Sequence, residues 1–264
     1  MNQILVTKKL YVTPELKRKR RIYKFNFLLS IFFIIILISV YIYAEYDRNK
    51  SEEVSQEILA QMDEESQNIE ERKDATIAKD SRVLVVVLDD SKQSHEEVEE
   101  VQEQVKEEEK LNYANVDKSY NKTTSDGYNY RSLASISIPK IGVNYPILEG
   151  ETMGVEETDS LLKISPCKFW GGDVNEIGNY CIVGHNYRNN RFFSKVPTLE
   201  IGDTFTISEI TGREVTYKIY DKYTVEPKNV NCTSQLTAGK KEVTLITCTN
   251  DSQLRYILKA REIK

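Results

Sequence analysis

Hydrophobic positions along the chain fall into three textures. From Phe25 to Ala44 apolar residues are nearly continuous, with Phe27-Leu28-Leu29 and the run Ile31 to Ile38, and no charge lies inside. From Asp47 to Asn112 they are sparse, and no aromatic residue occurs. From about Tyr128 they return as short alternating runs separated by turn residues.

The first texture predicts a membrane-spanning helix. About twenty residues at 1.5 Å rise cover a hydrocarbon core of roughly 30 Å. Lys17 to Arg21 and Lys24 precede the segment, and Glu45 and Asp47 follow it. Positive charge is retained on the cytoplasmic side, so residues 1–24 are expected inside and everything after Tyr46 outside the cell. Tyr41, Tyr43 and Tyr46 suit an interfacial belt. A cleaved signal peptide would have a shorter apolar region and a small-x-small cleavage site. Ile42, two residues before Ala44, spoils that site, and an uncleaved anchor over 25–44 is the expectation.

The second texture predicts a stalk, residues 45–129, helical or disordered. Such a stretch buries too little apolar surface to offset the entropy of ordering it. Two parts have helical spacing, Val54, Ile58, Leu59, Met62 and then Val98, Val101, Val105, and read as exposed, charge-laced helices. The apolar run Val83 to Leu88 between them is open to several readings: a strand, a helix turn or a partner-binding segment.

The third texture predicts a mainly β domain over 130–264. Leu133 to Ile138 alternates and stops at Pro139, and Val143 to Leu148 follows. Further strands are expected at Asn179–Val183, Thr204–Ile207, Val215–Thr224, Val243–Cys248 and Leu254–Ile263, with helical turns near Met153–Leu162 and Phe192–Pro197. Short strands at this spacing, punctuated by Gly142, Gly150, Gly202 and Gly212, argue a barrel or sandwich.

Charge sharpens the division. Residues 1–24 hold eight Lys/Arg and one Glu, residues 45–130 hold 24 Asp/Glu and 11 Lys/Arg, and residues 131–264 hold 17 Lys/Arg and 16 Asp/Glu. The basic cluster adjoins an apolar segment, which a membrane explains and nucleic acid does not. The four cysteines, Cys167, Cys181, Cys232 and Cys248, have neither a disulfide-framework spacing nor a zinc spacing. Cys181 reads as a small buried hydrophobe, and a Cys167–Cys232 pair is left open.

Candidate chemistry gathers on three strand ends. Thr244-Leu245-Ile246-Thr247-Cys248 presents a thiol at the end of one strand, and Arg255 follows after a loop of six residues. Val183-Gly184-His185-Asn186 ends another. The chain has two histidines, and the other, His95, lies in the acidic stretch and reads as solvated. A nucleophilic cysteine needs a basic or cationic neighbour and a donor for the developing oxyanion. Arg188 and Arg191, near the histidine, are rivals to Arg255 for that donor.

The cysteine pentapeptide with its downstream arginine and the Gly-His turn resembles the sortase family of cell-surface transpeptidases. Ser135 to Ile141, Tyr145-Pro146-Ile147, Gly178-Asn179, Phe192-Phe193, Leu199 and Gly202-Asp203 match as well. The resemblance covers about residues 130–264 and implies an eight-stranded β-barrel with short helices. It implies Cys248 as nucleophile, His185 as general acid and base, and Arg255 as oxyanion or substrate donor. The substrate would be a surface protein with an LPxTG-like C-terminal sorting signal, cut between Thr and Gly through a thioacyl-enzyme. The acceptor would be an amine of a lipid-linked peptidoglycan precursor. No cofactor is expected. Calcium use by some relatives puts Asp251, Glu156, Glu157 and Asp173 forward as carboxylates to consider. The chain stops directly after its last strand and has no Asp-Pro-aromatic lid, so the resemblance is to classes A, B or D and not to the pilin-polymerising class C. Two rivals stand beside this reading: a thiol peptidase that hydrolyses the same bond, and a non-catalytic membrane-tethered binding module.

Overall fold

The computed structural model describes residues 14–80 and 116–263. The Val83–Leu88 run, His95 and the Val98, Val101, Val105 spacing lie outside the described residues. Two compact units are present, Met1–Lys50 and Ser51–Lys264. A helix, α1, spans Pro14–Asp80. In the first unit its apolar stretch is long enough to cross a membrane, and side chains such as Phe27, Phe33 and Leu37 are exposed.

The second unit is built on nine strands: β1 (Lys122–Thr123), β2 (Asn129–Ile138), β3 (Val143–Gly150), β4 (Cys167–Trp170), β5 (Gly178–Val183), β6 (Thr204–Glu209), β7 (Glu214–Val225), β8 (Lys241–Cys248) and β9 (Arg255–Glu262). Their order is β1-β2-β3-β4-β5-β8-β9-β7-β6, and β2 also pairs with β6. Strands β2 to β9 therefore close into the eight-stranded barrel that the family resemblance implied, with β1 added on β2. The pairs β3–β4 and β5–β8 are parallel and the others antiparallel. Closure leaves no free edge in the barrel.

The period of two does most of this work. In β2 the buried positions alternate from Tyr130 to Ile138, so Ala134, Ile136 and Ile138 point inward. A 3₁₀ turn at Pro139–Ile141 ends in Gly142 at φ 67°, a left-handed position suited to glycine. Inside the barrel the side chains of Ile147, Ile182, Phe193, Phe205, Tyr217 and Leu245 are among those that fill one core. A helix, α2 (Val155–Leu162), stands where a helical turn was expected, and a 3₁₀ turn occupies Val196–Thr198. Strands β1 and β4 went unforeseen; β4 has only four residues.

A second core cluster changes the reading of the acidic stretch. Ile58 and Met62 of α1 pack with Tyr130, Leu148, Leu161, Leu162 and Cys167. Ser55, Ile58, Leu59 and Met62 are all buried, where the sequence suggested an exposed helix. Polar contacts complete the seam. Ser55 Oγ donates to Ser165 Oγ at 3.1 Å, which donates to the Pro146 carbonyl at 2.6 Å. Gln56 Nε2 donates to the Asn144 carbonyl at 3.3 Å. Buried hydroxyls thus keep their partners. The physical reason is on β3, which is buried on both faces from Tyr145 to Gly150. Its outer face needs a cover, and α1 provides one.

All four cysteines are free thiols, so the Cys167–Cys232 pair left open by the sequence is not formed. Cys167 sits in the α1–α2 cluster, while Cys232 packs with Cys181, Ile246 and Ile257. Desolvation pushes the Cys167 thiol far up and the Cys181 thiol up to about 12, so neither is a ready nucleophile.

Candidate active site

The parallel pairing of β5 and β8 sets the site. Val183 is the partner of Ile246, so both strands deliver their C-terminal ends to one rim of the barrel. Cys248 is the last residue of β8, and Arg255, its Cα partner across the hairpin, is the first of β9. Along β8, Ile246 and Cys248 share a face, and along β9 so do Arg255 and Ile257. These four, with His185, line one cavity of about 390 Å³. The three residues singled out by sequence are therefore brought to the same cavity.

Main-chain and side-chain bonds fix the histidine turn to the cysteine strand. Gly184 N donates to the Ile246 carbonyl at 3.0 Å, and Thr247 Oγ1 donates to the Gly184 carbonyl at 2.8 Å. Asn186 Nδ2 donates to the Cys248 carbonyl at 2.9 Å and to Asn250 Oδ1 at 3.1 Å. His185 is thus flanked by ties to the strand that carries the thiol, at Gly184 on one side and Asn186 on the other. Gly184 has its own reason to be glycine. A Cβ there would lie 2.5 Å from the Phe193 ring, which is fully buried. On the far side, Phe193 N donates to the His185 carbonyl at 3.1 Å, and the Tyr187 ring lies 5.0 Å from the imidazole, centre to centre.

The hairpin after Cys248 is self-supporting. Thr249 N donates to the Leu254 carbonyl at 2.9 Å, and Leu254 N donates to Thr249 Oγ1 at 3.0 Å. Arg255 Nη1 reaches the Leu254 and Ser252 carbonyls, at 3.3 and 3.5 Å. Arg188 and Arg191 are not among the cavity residues: Arg188 Nη2 reaches Ser252 Oγ at 3.4 Å, and Arg191 pairs with Glu52.

The walls are mostly apolar. One comes from α2 and the turn before it, with Met153, Val155 and Leu162. The other comes from the end of β7 and the β7–β8 connection, with Val225, Pro227 and Val230. Such a cavity suits an apolar peptide segment in extended form. Asp159 of α2 is its one carboxylate among the lining residues. His185 is half-buried, and desolvation lowers its pKa; the Asp159 charge works against that shift. Sequence reasoning missed Asp159, Asn186 and the reason for Thr247. The contacts of Asn186 and Thr247 depend on strand order, and the placement of Asp159 on which side of α2 meets the cavity; no local pattern contains either.

Three of the four carboxylates considered for calcium, Glu157, Glu156 and Asp251, have hydrogen-bond partners of their own. Glu157 is buried and accepts from the main chain of Glu151 and Thr152. Glu156 accepts from the Tyr128 hydroxyl at 3.2 Å, and Asp251 from the Thr249 hydroxyl and Gln253 N. Among the described residues no three His, Cys, Asp or Glu side chains form a group able to hold a metal ion.

Comparison with known proteins adds a family. Residues 136–263 match the family model of the sortase domain. Among solved structures, a sortase D5 transpeptidase of Clostridium perfringens is 29% identical over 63% of this chain and 95% of its own, with a TM-score of 0.46. Sortase A of Corynebacterium diphtheriae is 23% identical over 52% of this chain and 62% of its own, with a TM-score of 0.44. Sortase A of Listeria monocytogenes is 21% identical over 50% of this chain and 88% of its own, with a TM-score of 0.44. No curated protein sequence matches the chain significantly.

Proposed function

Residues 136–263 form a sortase domain, of a family of cell-surface transpeptidases, and from that premise we propose that this chain is a membrane-anchored cysteine transpeptidase. Its substrate is a surface protein with an LPxTG-like sorting signal. The observation that carries the reading is the meeting of Cys248, His185 and Arg255 on one largely apolar cavity.

The chemistry follows from the residue types. The Cys248 thiolate attacks the Thr carbonyl carbon of the signal, and the carbonyl oxygen becomes an oxyanion. Arg255 donates to that oxygen, an interaction strongest in the transition state. The C–N bond to Gly breaks, and the His185 imidazolium gives its proton to the departing amine. A thioester on Cys248 remains. An amine of a lipid-linked cell-wall precursor then attacks it, His185 accepts the proton, and the thiolate leaves as the new amide forms. The apolar helix at 25–44, with its basic flank inside, holds the enzyme on the membrane where protein substrate and lipid-linked acceptor also reside. Confinement to one surface raises their effective concentration.

The test is an amine-exchange assay with the full chain in detergent, an LPxTG-type peptide and triglycine. The reading expects a new peptide–triglycine amide, absent in Cys248→Ala although that variant folds. Cleavage with water as the sole acceptor, triglycine being present, would favour the thiol peptidase. A Cys248→Ala variant as active as the parent would remove the mechanism.

A further inference from the structure

The barrel-facing part of α1 reaches the loop that carries His185. Glu52 Oε2 lies 2.6 Å from Arg191 Nε, and Glu52 Oε1 accepts from the Tyr145 hydroxyl at 3.4 Å. The Arg191 side chain is 16% exposed and that of Glu52 36%, so the pair is partly shielded from solvent. Arg191 and Phe192 stand within the excursion whose ends are clamped by the Phe193-to-His185 main-chain bond.

From Tyr145 a series of ring contacts leads to the imidazole. Tyr145 meets Phe192 at 5.1 Å, Phe192 meets Tyr187 at 5.6 Å, and Tyr187 meets His185 at 5.0 Å, centre to centre. Phe192 has φ 47°, a left-handed conformation that a bulky residue keeps only where its surroundings over-determine it. Those surroundings include the two tyrosine rings and, beside it, the Glu52–Arg191 pair. Acid–base transfer is sensitive to small displacements of the imidazole, because the proton must pass at hydrogen-bond distance.

We propose that Glu52 of α1 is a positioning residue for His185, acting through Arg191 and the Tyr145–Phe192–Tyr187 ring series. The assignment rests on the reading of His185 as the acid–base group. It makes the helix segment after Ser51 part of the catalytic unit, where its composition alone reads as a spacer. Glu52 touches no reacting atom. Its removal is therefore expected to slow turnover without weakening capture of the peptide in the apolar cavity.

The experiment uses the full chain in detergent micelles with isotopically labelled histidine. The chain has two histidines, and His95→Ala identifies the His185 ring resonances. Glu52→Gln and Arg191→Gln are each expected to broaden or double those resonances. For amine exchange, kcat is expected to fall roughly three- to thirtyfold in each, with KM within about twofold. The double variant should lose no more than the worse single one, and the exchanged pair Glu52→Arg with Arg191→Glu should recover part of the rate. Unchanged His185 resonances in Glu52→Gln, or losses that multiply in the double variant, would overturn the proposal. The resonances are read without turnover. A parent chain with no exchange activity would thus count against the function while the positioning role is still decided.

Discussion

Gly184 is the residue at which the histidine turn is most sensitive to a single methyl group. Its missing side chain leaves room for the Phe193 ring, which has no freedom to withdraw because it is fully buried in the barrel core. Gly184→Ala is expected to destabilise the domain by about 1–3 kcal/mol, read as a lower Tm with faster amide exchange around residues 184–193. Asp159 is the carboxylate that lines the same cavity as the imidazole. Its charge raises the His185 pKa against a larger lowering by burial. Asp159→Asn removes the raising influence, so the imidazolium loses its proton at a still lower pH. The His185 limb of the pH–rate profile should move to lower pH, and the rate at neutral pH should fall as the protonated fraction shrinks. A limb that stays in place or moves upward would exclude Asp159 as the tuning charge. That Cys248, His185 and Arg255 would come together on one cavity was legible from their strand-end positions and from the resemblance their motifs carry. Asp159 was not, because nothing in a surface helix marks which of its carboxylates will face a cavity.

At the scale of elements, most strands announced themselves by alternation, and β2 did so most clearly. What the alternation left out was neighbour order. β5 and β8 are parallel partners although β6 and β7 intervene in sequence, and it is this pairing that puts His185 beside the end of the cysteine strand. The helical stretch after Ser51 shows the converse. Its spacing Val54, Ile58, Leu59, Met62 was visible, but so few apolar residues among so many glutamates and glutamines read as a solvated helix. The decisive signal lay elsewhere, in the unbroken apolar run Tyr145 to Leu148. A strand that does not alternate is covered on both faces. Ile58→Ala tests the assignment, since the residue is 4% exposed in the α1–α2 cluster. The truncation is expected to cost about 2–5 kcal/mol, appearing as faster amide exchange over residues 52–62 and a lower Tm. Unaltered exchange there would mean that the helix does not rest on the barrel in solution.

At the scale of the whole molecule, an apolar helix able to cross a membrane and an eight-stranded sortase barrel occur in one chain. The barrel unit begins at Ser51, not at the first strand, so the helix segment after Ser51 belongs to the same compact unit as the barrel. The central claim is covalent: Cys248 carries the acyl group between signal and acceptor. The most direct measurement is intact-protein mass spectrometry of the full chain in detergent, mixed with an LPxTG-type peptide and quenched in acid before any amine is added. The account predicts a mass gain equal to the peptide up to its threonine, mapped by digestion to Cys248 and discharged by triglycine. It predicts no such gain in Cys248→Ala. An adduct on another residue, or exchange product formed by Cys248→Ala, would contradict it.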